Sequence, residues 1–449
     1  MAQEPSMTQG SIWKTLVRFA LPLFLGNLFQ QLYNVADSFV VGNFCGDAAL
    51  AAVSSSGSLC HLLIGFFQGT FVGAGVVVSH RWGAKDRDGV DRAIHTALIL
   101  ALAMGLFLTV FGVCFTPTIL RLMGTPESVM PNSVLYFRIY CSGILGLVLY
   151  NISNGIFQTL GDSMRPLRYL IIASLTNIAL DLLFVVVFQM GVAGAALATI
   201  LSQALSAFLG LSYLMSGKFA VRICLDKLRI DFSTLKSLLR LGLPSGLQNS
   251  LISIANLVVQ TNINAFGDQA MAGCGTFSKL EGFVFLPIVS LTMALTTFVG
   301  QNLGAGELDR CKKGARTGIL MAVSIAELIG IVFWIFAPQL VGLFSSSPGV
   351  IAHGVRQART EALFFFLLAF AHAAAAVLRG AGKTLSPMMI LLCCWCLLRI
   401  IYITLMVRII PDIVVVFTAY PITWGLSCLC FGWCLRGGKW LRRGVNSRL

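Results

Sequence analysis

Charge is what this 449-residue chain has least of. Only 11% of its residues are Asp, Glu, Lys or Arg, where a soluble domain carries roughly 25%. Six stretches have none at all: Ala48 to His80, Ala93 to Leu120, Ile139 to Gly161, Leu182 to Gly217, Leu241 to Gly267 and Gly282 to Gly306. A membrane-spanning helix needs about 20 mostly apolar residues, so runs this long exclude a soluble globular domain. They lack strict alternation, which excludes the strands of an outer-membrane barrel. Histidine is scarce too, and His61, His80, His95, His353 and His372 are scattered without metal-ligand spacing. Neither HExxH nor GxSxG occurs. Gly380 to Thr384 reads GAGKT, but a phosphate loop needs Gly five residues before Gly382, and Val377 stands there. No enzyme, no ATP site and no bound cofactor is expected. The 13 cysteines fall mostly inside apolar runs, where Cys packs as a small hydrophobe. Cys393 and Cys396 form a CxxC beside Trp395, for which packing rather than metal or a disulfide is expected.

What the chain has instead is repetition. Leu-Val-Arg-Phe-Ala-Leu-Pro at 16–22 returns as Leu-Leu-Arg-Leu-Gly-Leu-Pro at 238–244. FCGDAALAA at 44–52 returns near FGDQAMAG at 266–273, Gly83-Ala84 as Gly304-Ala305, and GDSMRP at 161–166 as GKTLSP at 382–387. Markers this far apart keep one register, near 221 or 222. Two homologous membrane bundles in one chain suit transport, because a site within or between repeats can face alternate sides.

The breaks predict an all-α membrane protein of twelve helices in two pseudo-symmetric six-helix bundles. Residues 1–215 form the first, 216–236 a polar basic connector, and 237–449 the second. Expected spans lie near 15–41, 48–79, 93–117, 132–158, 166–188 and 191–215, then 237–265, 270–300, 314–337, 359–378, 386–408 and 412–434. No cleavage site follows the first, so a retained span is expected rather than a signal peptide. The net charge of +14 is topological: 25 of the 32 Lys and Arg residues fall at the two termini and in the loops after spans 2, 4, 6, 8 and 10. That asymmetry predicts a plasma (inner) membrane protein with both termini cytoplasmic. It leaves no basic, aromatic-laced face for nucleic acid. Small molecules and membrane lipids are the expected partners, and a monomer the expected state.

An ionisable residue inside the hydrocarbon is costly and marks a site by default. Asp37 in span 1 and Asp181 in span 5 stand out, with Asn151 and Asn154 in span 4, Asn177 in span 5 and Thr199 in span 6. Asn177 and Asp181 are four apart and share a helix face, as do Asn151 and Asn154, three apart. At about 1.5 Å per residue, Asp37 lies about 28 Å from Arg18, Asp181 about 22 Å from Pro166, and Thr199 about 12 Å from the outer end of its span. All three fall in the outer half of the membrane. Carboxylates, amides and a hydroxyl at one depth suit an H⁺ or Na⁺ site. The second half carries Lys279, Glu281, Glu327, His372 and Arg399 instead. Arg399 takes the place that Ile178 holds in the first copy. Glu327 lies about 16 Å from Arg316 and Arg399 about 18 Å from Pro387, so a Glu327–Arg399 pair is expected. A cavity or second coupling role for Glu281 or Glu327 is the alternative.

YNVADSFVVG at 33–42, NIALD at 177–181, LGDSMRP at 160–166, the loops 83–92 and 304–314, and FVGQNLGAGELDR at 298–310 carry a family resemblance. The chain resembles the MATE (multidrug and toxic compound extrusion) transporters along almost its whole length. The resemblance implies two six-helix lobes and export of organic, often cationic compounds against inward H⁺ or Na⁺. In the branch coupled through the first lobe, the ion-site positions fall on Asp37, Asn154, Asn177, Asp181 and Thr199. A second branch uses acids in spans 7 and 10. Here span 7 has none and span 10 has Glu361 at its expected outer edge, which favours a DinF-like member. A lipid-linked or polysaccharide flippase of the wider superfamily is the alternative, kept open by Lys279, Arg399 and His372.

Overall fold

The structure is a computed structural model, and it describes residues 7–45, 65, 69, 71–122, 125–127 and 129–441. No strand occurs among them. The helices are α1 (Ile12–Cys45), α2 (71–83), α3 (Arg87–Leu122), α4 (Met130–Ser142), α5 (Ile144–Thr159), α6 (Met164–Asp181) and α7 (Gly191–Met215). There follow α8 (Phe232–Asn264), α9 (Asp268–Gly304), α10 (Leu308–Ile335), α11 (Ala337–Gly342), α12 (Pro348–Glu361), α13 (Phe365–Gly380), α14 (Leu385–Leu391), α15 (Arg399–Ile409) and α16 (Val414–Leu435). Nine helical segments among the described residues are long and apolar enough to cross a membrane. The pair α4–α5, bent by 47° at Gly143, makes a tenth. α8 has the length, but Gln248, Asn249, Asn256, Gln260, Asn262 and Asn264 dilute its apolar run. The expected span at 48–79 lies mostly outside the described residues. The protein is thus an all-α membrane protein, and the count of twelve depends on those last two segments.

The repeat extends to the helix starts. α3, α5 and α6 begin at 87, 144 and 164, and α10, α13 and α14 begin at 308, 365 and 385, each 221 residues on. Even the break is copied: the bend at Gly143 corresponds to the 3₁₀ turn Ala362–Phe364 between α12 and α13. Among the described residues each copy also has one π-helical segment, Leu182–Val187 after α6 and Leu392–Leu398 before α15. Such segments add a residue to a turn and gather at functional sites. Asp181 immediately precedes the first and Arg399 immediately follows the second.

The chain divides into two compact units, one of Leu25–Arg240 and one of Met7–Phe24 with the residues from Leu241 on. In the first unit α7 packs on α4, α5 and α6, and α3 on α4 and α5. In the second, α9 packs on α10, α12 and α13, and α13 on α10 and α16. Its core is rich in alanine: Ala369, Ala371 and Ala373 to Ala376 are all inaccessible, and small residues let helices approach closely where lipid supplies no hydrophobic drive.

Both unit boundaries cut through a helix. The start of α1 packs Leu16, Phe19, Ala20 and Leu23 into the core of the second unit, with Phe277, Val284 and Leu291. Before it, the Met7 N–H donates to Gln301 Oε1 (2.9 Å), and Arg310 donates to the carbonyls of Gln9 (2.8 Å) and Gly10 (2.7 Å). The start of α8 is held in the first unit in the corresponding way. Arg81 Nη2 donates to Thr234 Oγ1 (3.0 Å), the Asp231 N–H to Thr96 Oγ1 (3.2 Å), and the Cys224 N–H to His95 Nε2 (3.1 Å).

Candidate functional site

Three helices of the first unit carry polar residues at positions 0, 3 and 7 within apolar sequence. They are Gln30, Tyr33 and Asp37 on α1, Ser174, Asn177 and Asp181 on α6, and Thr199, Ser202 and Ser206 on α7. That spacing puts each trio on one helix face. α6 and α7 are antiparallel neighbours, so Asp181 and Thr199 lie toward one end and Ser174 and Ser206 toward the other.

Asn177 and Asp181 are 1% exposed and Thr199 is 9% exposed. Both side-chain oxygens of Asp181, both polar atoms of Asn177, Asp37 Oδ1 and Asn154 Oδ1 are buried without a hydrogen-bond partner among the described residues. Asp37 and Asp181 are close enough to act on one another electrostatically. A buried carboxylate with no donor to either oxygen, acted on by a second, half-buried one, suits a bound proton or cation. Tyr33 faces Gln30 and Gln203, and Tyr150 of α5 faces Asn154. Thr199 Oγ1 is tied to the Ala195 carbonyl (3.0 Å), and Asn151 Nδ2 to the Leu147 carbonyl (2.9 Å). These bonds turn Thr199 and Asn151 to their own helices.

The acids stand at a boundary. One turn beyond them, Val40 and Val41, Val185, and Ala195 and Ala196 form an apolar cluster with Tyr136 and Val192. On the opposite side lies a small cavity lined by the apolar Leu170 and Ala173 and by Gln30, Tyr33, Tyr150, Ser174, Asn177, Ser202, Gln203 and Ser206. Of these only Asn177 was singled out in the sequence. The trio spacing was the available signal for Gln30, Tyr33, Ser174, Ser202 and Ser206. Gln203 and Tyr150 lie outside it.

The repeat also identifies the chain. A family model described as MatE matches it twice, over residues 22–183 and 244–405, two stretches 222 residues apart. The chain belongs to the MatE family. It is 31% identical over 392 residues to the probable multidrug resistance protein YpnP of Bacillus subtilis, covering 87% of this chain and 88% of that one. It is 32% identical over 402 residues to the probable multidrug resistance protein YoeA of the same organism, covering 87% and 86%. A solved structure of the outward-facing conformation of a multidrug resistance MATE family transporter of the MOP superfamily superimposes with a TM-score of 0.90. It is 26% identical and covers 96% of this chain and 97% of that one. MatE proteins are membrane transporters, and this chain is one of them.

The second unit of this MatE chain corrects the expected Glu327–Arg399 pair. Arg399 donates from Nε (3.2 Å) and Nη2 (3.0 Å) to Thr423 Oγ1 and lies 4.2 Å from the centre of the Tyr420 ring. The acids whose charge it feels are Glu361 and Glu281. Glu327 instead accepts the Phe366 N–H (3.3 Å) at the start of α13. Equal depth did not make neighbours, because α10 packs on α9 and α13 whereas α15 packs on α16. Glu361 also moves from the expected edge to the interior. The span runs from Pro348 rather than 359, and Glu361 is fully buried, accepting Gln357 Nε2 (2.9 Å). His372 stands edge-on to Phe285 and Trp395 at centroid distances of 5.6 and 5.3 Å. Lys279 is exposed.

Proposed function

We propose that this MatE protein is a secondary active exporter of organic, cationic or amphipathic small molecules. Inward H⁺ or Na⁺ flow through Asp37 and Asp181 drives it, with Asn154, Asn177 and Thr199 alongside. The observation that carries this reading is the buried Asp181, which lacks any donor and feels the charge of the half-buried Asp37, inside a family whose members named above are probable multidrug resistance proteins. Ion uptake removes that repulsion, and the conformation that binds the ion best gains from it. Export follows if substrate and ion favour different conformations. Pro22, about a third of the way along α1, is the natural point of bending, since its ring removes one helix hydrogen bond. The basic loops support a plasma membrane location with cytoplasmic termini. The flippase reading leaned on a cationic second unit. Arg399 there is bonded to Thr423 and lies over the Tyr420 ring, so nothing favours that reading.

Asp37→Asn and Asp181→Asn are expected to fold, reach the membrane and bind substrate, yet lose gradient-driven export. Dye transport in proteoliposomes under separately imposed pH and Na⁺ gradients checks this. Wild-type export by both variants overturns the site.

A further inference from the structure

We propose that His95 makes the connector between the repeats a pH-operated strap: the neutral ring ties Cys224 to α3, and the protonated ring lets it go.

The His95 ring is buried, 2% exposed, and its two neighbours dictate where its hydrogen sits. Nδ1 lies 2.8 Å from the Asp91 carbonyl oxygen. A carbonyl only accepts, so Nδ1 carries the hydrogen. Nε2 lies 3.1 Å from the Cys224 backbone nitrogen. A backbone N–H only donates, so Nε2 is bare and accepts. Both bonds exist together only for the neutral ring protonated on Nδ1. A second proton has one place to go, Nε2, and there it meets the Cys224 N–H. Donor then faces donor, and the bond that held Cys224 is lost. Histidine is the side chain that changes charge between about pH 5 and 8, so ordinary acidification acts on this contact.

The surrounding charges provide a second resting state. Asp91 Oδ1 lies 3.5 Å from Nδ1, while its Oδ2 accepts Lys227 Nζ at 3.1 Å. The connector brings the Cys224 thiol and Lys227 to this place, and Asp88 of α3 acts on Lys227 as well. Asp231 offers the adjacent Thr96 only its N–H, its carboxylate being turned to Ser233 and Thr234. Asp91 is thus the counter-charge for a protonated ring, and sharing it weakens the Lys227 tie. Both ties of the 224–227 stretch to α3 therefore run through His95 and Asp91 and loosen together. The bonds on either side involve no group that changes charge in this range. Before the stretch, the Ile223 N–H donates to the Leu214 carbonyl (3.1 Å). After it stand the Asp231–Thr96 and Arg81–Thr234 bonds. Release is confined to Cys224 and the 3₁₀ turn Leu225–Lys227, held at both ends. That stretch leads into α8, which begins in the first unit and continues into the second. Acid on the connector's side of the membrane loosens the segment joining the repeats without unfolding either.

The test is hydrogen exchange of the full-length protein in nanodiscs, read by mass spectrometry at about pH 7.5 and about pH 5.5, the span over which histidine titrates. Wild type and variants are compared at the same pH, which cancels the intrinsic pH dependence of exchange. Wild-type protection of the peptide 220–228 is expected to fall on acidification by up to about tenfold per pH unit, the slope of a one-proton opening. His95→Gln keeps an acceptor in the place of Nε2 and takes up no proton, so its protection is expected to hold at both pH values. His95→Phe fills the space without an acceptor and is expected to show the open level at both. The peptide 232–240 is expected to exchange alike in all three proteins. Equal protection of wild type and His95→Gln at the lower pH overturns the strap. A His95→Phe protein that stays protected at the higher pH overturns it too. So does an acid-induced loss that spreads to 232–240, which marks general unfolding.

Discussion

At the residue scale, Glu327 shows how an intramembrane acid acquires a structural duty. The break between α12 and α13 frees backbone amides that no helix of its own satisfies, and Glu327 reaches across from α10 to accept one of them. Three residues on, Gly330 brings α10 against the Ala362 carbonyl so closely that a Cβ would come within 2.2 Å. Glu327→Gln keeps an acceptor and is expected to unfold near the wild-type temperature. Glu327→Leu leaves the amide unpaired and is expected to cost about 1–3 kcal/mol, read as a lower midpoint in detergent. Arg399→Met removes the donor to Thr423 and the positive charge that Glu361 and Glu281 feel, and is expected to lower folded yield. Adding Glu361→Gln should recover part of it. The sequence marked Asp37, Asp181, Glu327 and Arg399 because charge is so rare around them. It did not show which of them meet, since depth along a helix says nothing about which helices pack together.

At the element scale, the start of α8 is held by the connector. The Asp231 carboxylate accepts the hydroxyls of Thr234 and Ser233 and the Thr234 N–H. The Thr234 hydroxyl bond is the main reason its carboxyl is held below the usual value. A depressed folded pKa means stabilisation that is present above the unfolded pKa and lost as pH falls through the folded one. Asp231→Asn is therefore expected to lower the thermal midpoint at neutral pH, to flatten the acid limb of the stability profile, and to differ least from the parent protein below the ordinary carboxylate range. Asp412, held down by the Val414 N–H and by Arg356, serves as the parallel control. Helix starts were legible from punctuation: GDSMRP and GKTLSP run from the preceding turns into the first residues of α6 and α14. The 3₁₀ break and the two π segments were not, because an inserted residue within a continuous apolar run changes neither composition nor period.

At the scale of the whole molecule, the repeat and the basic loops predict sidedness. Cysteine substituted at Gly349 should react with an impermeant probe from outside, and at Lys85 or Lys227 it should not. Outside labelling of Lys227 would invert the topology. The two-copy plan was legible because it rests on markers that keep one spacing. The exact partition was not, because Leu25 and Leu241 fall inside continuous helices whose composition does not change there. That partition has a consequence for how such a chain arises and how it can be divided. Each unit is completed by the leader of the other repeat: residues 7–24 seat on the second, and the stretch ending at Arg240 on the first. A protein of a single repeat would have to lend its leader to a sister copy to complete the same packing. The halves therefore do not separate where their sequences do. A fragment ending at 215 leaves Arg81, Thr96 and His95 without the partners named above, and it is expected to be more protease-sensitive than one carried on to 240.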